Sequence, residues 1–231
     1  MKKLGFTING VLRDFNYQFE KCYRKEFVKN DALIKMDDNF YAVEEEETED
    51  EYQKILQLER ELITVPIDTF DLMNHFRFED KESFDKFLYQ DYTFPIFGAA
   101  PSIPKAFDFL LRIQEIGEVN KMFEIVLISQ EKSQAVTSTL HFLVKNGCRA
   151  RNIKFVDNYS EAWNFCDVVV SDIPEIFESK TKNKTSIKIN KLYNQWSDSD
   201  YSFESLAELN DKDLLVKLFD YKTLDNSTII A

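Results

Sequence analysis

The sequence predicts an α/β protein in which a doubly wound parallel sheet is interrupted early by an acidic, mainly helical insertion. Three observations predict it. Phe123-Glu-Ile-Val-Leu-Ile128 and Asp167-Val-Val-Val170 are short runs, apolar nearly throughout, of the kind buried on both faces of a parallel sheet. They alternate with stretches of helical period, as strand–helix–strand units do. Charge is placed unevenly: residues 15–91 hold 21 acids and 10 bases, against 20 and 19 in the rest of a 231-residue chain whose formal net charge is −12. The expected boundaries are residues 1–14 and 92–231 for the core and 15–91 for the insertion.

Leu4 to Leu12 reads as a strand running into a Gly-containing turn. Phe15, Phe19, Cys22, Tyr23 and Glu26 then recur at helical spacing. Ala32–Met36 and Phe40–Val43 flank Asp37-Asp38-Asn39 as a candidate hairpin. Glu44–Glu51 holds seven acids in eight residues, a solvated stretch or a contact for a basic partner. Leu56, Leu58, Leu62 and Ile63 suggest a helix, Phe70 to Phe76 a second, and Ser83 to Tyr89 a third with Phe84, Phe87 and Leu88 on one face.

Pro95, Pro101 and Pro104 mark an irregular return to the core, and Pro104 suits a helix's first turn. The apolar stripe Ala106, Phe107, Leu110, Leu111 and Ile113 is expected to stop at Gly117, as a C′ glycine. The strand Phe123–Ile128 leads to a helix with Val136, Leu140, Leu143 and Val144 inward, ending at Gly147. A strand at Ile153–Val156, a short helix at Ser160–Phe165 and the strand Asp167–Val170 follow. Ile173 to Phe177 opens a further helix, and Ser186–Ile189 is a last strand.

Composition excludes several classes. No window approaches the ~20 apolar residues of a membrane span, and the acidic balance argues against nucleic acid as a partner. Cys22, Cys148 and Cys166 have no metal-like spacing, so free thiols in a reducing, cytoplasmic compartment are expected. Phe (21) and Tyr (10) are abundant while Gly (5) is scarce, a bias typical of AT-rich bacterial or phage coding sequence.

In open α/β sheets the functional crevice lies beyond the carboxyl ends of the strands. Thr7 to Asp14, Ser129-Gln-Glu131, Asp157-Asn158 and Ser171-Asp172 fall there. Each has a structural reading as well as a chemical one. Gly10 permits a tight turn; Ser129, with Glu131 behind it, and Asp172 suit helix N-caps. His141, beside the stripe of its helix, reads as a packing residue. Asp198-Ser-Asp200 lacks the glycine of a calcium loop, having Phe203 at that position.

Phe6-Thr-Ile-Asn-Gly-Val-Leu-Arg-Asp14 resembles the first motif of the haloacid dehalogenase-like (HAD) hydrolases, Asp-x-Asp-Gly-Thr/Val-Leu-x-Asp. Ile125-Val-Leu-Ile-Ser129 resembles the second, and Asp167-Val-Val-Val-Ser-Asp172 the fourth. Phe94-Pro-Ile-Phe-Gly-Ala-Ala-Pro101 is similar to the stretch returning to the core in nucleotidase-like members. The resemblance implies a Rossmann-like core, a cap at residues 15–91, and Lys145 or Lys154 as the third-motif lysine. It also implies an aspartyl nucleophile and an aspartic acid/base in the first motif, and Mg²⁺ beside them. Those two positions hold Thr7 and Asn9. A neutral threonine lacks an activating base, and an amide cannot exchange a proton at neutral pH.

The residues Thr7, Asn9, Gly10, Asp14, Ser129, Lys145, Lys154 and Asp172 therefore read as a vestigial site with no catalytic residue. No cofactor is expected. Mg²⁺ enters only under the alternative of an active 5′-nucleotidase-type phosphohydrolase, with Asp172 its one weak ligand. The leading expectation is an inactive HAD-like subunit that contacts a protein partner or a second copy of itself, in a phage-encoded assembly or virion. A non-hydrolytic nucleotide or phosphate binder is the third reading.

Overall fold

The apolar runs pair into one six-stranded sheet, parallel throughout, in the order β3–β2–β1–β4–β5–β6. The computed structural model describes residues 2–28, 66–120 and 123–210. The strands are β1 (Lys2–Thr7), β2 (Phe123–Ser129), β3 (Asn152–Phe155), β4 (Val168–Ser171), β5 (Thr185–Ile189) and β6 (Tyr201–Phe203). β1 lies inside, pairing Leu4 with both Ile125 and Val168. The strand order therefore reverses at β1, which sets a crevice at its carboxyl end.

Side chains alternate across the sheet and are buried on both faces. On one face Leu4, Phe6, Leu127 and Val170 pack with Phe109 and Leu110 of α4 (Ala106–Asn120) and Phe142 of α5 (Gln134–Lys145). On the other, Val126, Ile128 and Val169 pack with Trp163 of α6 (Ala162–Phe165) and Ile176 of α7 (Pro174–Glu178). This is the doubly wound arrangement that the sequence predicts.

Residues 15–91 contribute α1 (Phe15–Tyr23), α2 (Leu72–His75), α3 (Lys81–Lys86) and π-type turns at Arg24–Val28 and Phe87–Asp91, and a further such turn, Phe94–Gly98, lies on the return to the core. These share a third cluster in which Phe19 lies 5.1–6.3 Å from the rings of Phe76, Phe78, Phe84 and Phe87. The cluster continues through Ile96 and Phe97 to Ala135 of α5, so these helices share apolar packing with the core. The candidate hairpin about Asp37-Asp38-Asn39, the acidic run Glu44–Glu51 and the stretch Leu56 to Ile63 lie outside the described residues.

Several local expectations are corrected. α4 does not stop at Gly117 but runs three residues further. That glycine serves close approach instead, since a Cβ there would stand 2.8 Å from the Phe123 carbonyl oxygen. Pro104 lies in the turn before α4 rather than in its first turn. The inward face of α5 is Ala135, Ser138, Thr139, Phe142 and Leu143, while Leu140 and Val144 are exposed. Phe142 fills the core, and the stripe turns with it. β6 lacks any apolar run; Asp200 secures the turn into it, accepting from the Ser186 N–H (2.7 Å) and pairing with Lys180 (2.7 Å). The cysteines are free, with Cys22 and Cys166 buried. No helix among the described residues is long and apolar enough to cross a membrane.

Candidate ligand site at the strand ends

The turn after β1 is closed by its own backbone: the Arg13 N–H donates to the Ile8 carbonyl (2.8 Å) and the Gly10 N–H to the Arg13 carbonyl (2.9 Å). Gly10 takes φ +75°, and a Cβ there would stand 1.7 Å from Asp172 Oδ2. The glycine is thus required both by its left-handed backbone and by the carboxylate lying against it. Asp14 ends the turn as the N-cap of α1, its side chain accepting from the Tyr17 N–H (3.4 Å).

Thr7 is fully buried and donates to Ser171 Oγ at 3.2 Å, across the β1–β4 pair. Asn9 is held from both sides: its Oδ1 accepts from Arg13 Nε (2.8 Å) and Nη2 (2.5 Å), and its Nδ2 donates to Glu131 Oε1 (3.2 Å). Arg13 is itself fully buried. It donates to the Phe97 carbonyl (2.6 Å) and Thr139 Oγ1 (2.8 Å), forms an ion pair with Glu131, and sits between the rings of Phe97 and Phe142. Burial pulls the guanidinium below its ordinary pKa, and the Glu131 charge works against that pull.

Asp172 follows β4. It does not cap α7, whose N-cap position is Ile173. Its Oδ2 accepts a hydrogen bond from the Tyr193 hydroxyl, while its Oδ1 is buried with no hydrogen-bond partner among the described residues. Burial raises the carboxyl to about 6, against the hydrogen bond from Tyr193 and the charge of Lys191, which both lower it. The Asn194 side chain donates to the Asp172 carbonyl (2.8 Å) and fixes the connection that carries Tyr193.

Thr7, Asn9, Gly10 and Asp172 therefore meet at the crevice, and Ser129 closes β2 beside them with a buried hydroxyl that has no hydrogen-bond partner among the described residues. Ser129 is not an N-cap, since α5 begins five residues later behind Ser133, and Glu131 belongs to the buried ion pair instead. Neither lysine is among the residues that meet there. Lys145 is exposed at the end of α5, and Lys154 lies over the Phe165 ring at 5.4 Å. His141 is exposed, 5.2 Å from the ring of Phe94. Sequence reasoning passed over Arg13, Tyr193 and Asn194. A cation wedged between Leu12 and Asp14 in an apolar turn was a signal for the first; nothing marked the other two.

A cleft of about 330 Å³ opens above these residues, between the strand ends and the inserted helices. Phe15, Phe84, Tyr89 and Phe97 wall it, Phe70 and Tyr193 stand 5.9 Å apart at one side, and Gly10 and Asp172 line it too. Its only charged lining residues, among those described, are Asp71 and Asp172.

The donor set does not suit Mg²⁺, which wants several hard oxygens in octahedral array. The Thr7 hydroxyl is neutral and turned to Ser171, Asn9 Oδ1 is taken by a guanidinium, and one Asp172 oxygen is taken by Tyr193. Among the described residues no group of three or more His, Cys, Asp or Glu is placed to hold a metal.

No family model matches the sequence, and no curated protein matches it. Solved structures do. The HAD-hydrolase YfnB of Bacillus subtilis, bound to magnesium, superposes with a TM-score of 0.54 at 13% identity, covering 95% of this chain and 99% of its own. CbbY of Rhodobacter sphaeroides, in complex with phosphate, gives 0.53 at 11% identity, covering 91% and 96%. β-Phosphoglucomutase of Clostridium difficile gives 0.51 at 14%, covering 96% and 98%. The chain has the architecture of these proteins over nearly its whole length.

Proposed function

We propose that this chain, which carries the haloacid dehalogenase-like hydrolase fold, is a catalytically inactive member of that architecture serving as a protein-interaction or structural subunit. The observation that carries the reading is the fixing of Asn9 between Arg13 and Glu131. The side chain at the acid/base position has no proton to exchange, and its oxygen faces a buried cation. Thr7 at the nucleophile position spends its hydroxyl proton on Ser171, and neither histidine lies beside it to act as a base. Phosphate binding in the cleft is disfavoured too, because its charged lining residues are both acidic. Exposed apolar side chains support an interaction role: Leu192 and Trp196 flank Tyr193 in sequence, and Trp196 is 94% exposed. On composition alone, a phage-encoded assembly is the setting we propose for such a subunit.

The test is phosphate release from nucleoside monophosphates and an aryl phosphate, with and without millimolar Mg²⁺. No turnover above buffer is expected from the wild type. The Thr7→Asp/Asn9→Asp double variant is also expected to be inactive, because the new carboxylate at position 9 pairs with Arg13. Mg²⁺-dependent turnover by the wild type that disappears in Asp172→Ala would overturn the reading.

A further inference from the structure

We infer that the cleft over Gly10 and Asp172 is a binding site for a small organic cation: an aryl- or alkylammonium whose apolar body lies among the aromatic rings and whose N–H reaches Asp172 Oδ1. The inference goes beyond the non-hydrolytic reading and stands independently of it, since a cation site makes no demand on phosphate chemistry.

Four features converge. At about 330 Å³ the cleft falls within the range of small-molecule sites, roughly 300–1,000 Å³. Aromatic and aliphatic side chains make up most of its walls, with Phe15, Phe84, Tyr89 and Phe97 around the interior and Phe70 and Tyr193 at the side. Aromatic faces attract ammonium groups through the ring quadrupole, more strongly where water is excluded. The charge is of one sign, Asp71 and Asp172, with no lysine or arginine among the described lining residues.

Finally, Asp172 is 2% exposed and half-satisfied: Tyr193 serves Oδ2, and Oδ1 has no hydrogen-bond partner among the described residues. A buried carboxylate oxygen without a donor is costly, and an ammonium N–H supplies both the donor and the counter-charge. The neighbouring cations do not fill that place. Arg13 is committed to Glu131, Asn9, Thr139 and the Phe97 carbonyl, while Lys191 acts on Asp172 at longer range without forming an ion pair. The same features exclude an anion, which would meet two carboxylates. They also leave a neutral ligand of the same shape without the counter-charge that Asp172 lacks.

Isothermal titration of the full chain with phenethylammonium, butylammonium, 2-phenylethanol and phenyl phosphate at pH 7.5 tests this. The aryl amine is expected to bind at least tenfold more tightly than the alcohol of the same shape, and phenyl phosphate to give no binding heat. Asp172→Asn, close to isosteric beside Gly10, should erase the amine's advantage over the alcohol. Phe70→Ala, at an exposed position that can be truncated without opening the core, should weaken the amine severalfold. Binding of phenyl phosphate as tight as that of the amine would overturn the inference. So would an amine affinity unchanged in Asp172→Asn, or absence of heat from both amines. Phosphatase activity, measured separately, would leave these outcomes untouched.

Discussion

At Asp172 two opposed demands meet in one side chain. The carboxylate is packed onto Gly10 in a dry pocket that disfavours its charge, and burial lifts its pKa from 3.8 to about 6. A carboxyl whose folded pKa lies above its unfolded value stabilises the fold fully below about pH 4. That contribution is lost as pH rises from there through 6. Asp172→Asn should therefore be more stable than wild type at pH 8, by on the order of 2–3 kcal/mol. The difference should vanish below about pH 4 when denaturant midpoints are compared across pH. The amide keeps an oxygen to accept from Tyr193 and carries no charge to desolvate. Gly10 and Asp172 were legible in the sequence because both stand at strand ends in a familiar order. Tyr193 was not, since a hydrogen bond between residues 21 apart leaves no local pattern.

Between elements, the Arg13–Glu131 pair ties the turn after β1 to the segment between β2 and α5, and through the Phe97 carbonyl to the stretch returning from the insertion. Both side chains are almost wholly buried, at 0% and 1% exposure. Removing one partner leaves the other charged in a dry site, a loss of about 3–5 kcal/mol. Glu131→Ala should lower stability by that amount in denaturant titrations. The double replacement Arg13→Met/Glu131→Leu should recover only part of it, because the isolated charge is gone while Asn9 Oδ1, Thr139 and the Phe97 carbonyl lose their donor.

Among the described residues the sequence marked where the helices and most strands lie, since period and length are local properties. It misplaced what packing decides. Gly117 reads as a helix terminator until Phe123 is seen pressed against it, and α5 turns its face to bury Phe142. β6 is three residues long and owes its place to pairing with β5 rather than to an apolar run of its own.

Over the whole molecule, the apolar strand runs and the helical stretches between them were enough to read a doubly wound core, because a parallel sheet buried on both faces imposes both. The two tryptophans give separate views of that core. Trp163 is buried and donates through Nε1 to the Ile176 carbonyl (2.9 Å), whereas Trp196 is 94% exposed. In Trp196→Phe the remaining emission should be blue-shifted. On denaturation it should move to the red in one transition that coincides with loss of helical circular dichroism. A fluorescence transition that precedes the dichroism change would show that the layer holding α6 and α7 opens by itself.

The central position of β1 also has a bearing on how the chain is made. The backbone N–H of Lys3 donates to the Asp167 carboxylate, 164 residues further on, and the strand's two flanking partners are β2 and β4. At a synthesis rate of roughly 5–20 residues per second, β1 is out on the growing chain for about 10–30 s before β4 exists to receive it. Until β2 and then β4 follow, Leu4-Gly-Phe-Thr-Ile8 is an apolar strand lacking both or one of its neighbours. Assembly of the core thus waits for the later two-thirds of the polypeptide, and a nascent chain halted before Val168 should be a ready client for a ribosome-associated chaperone.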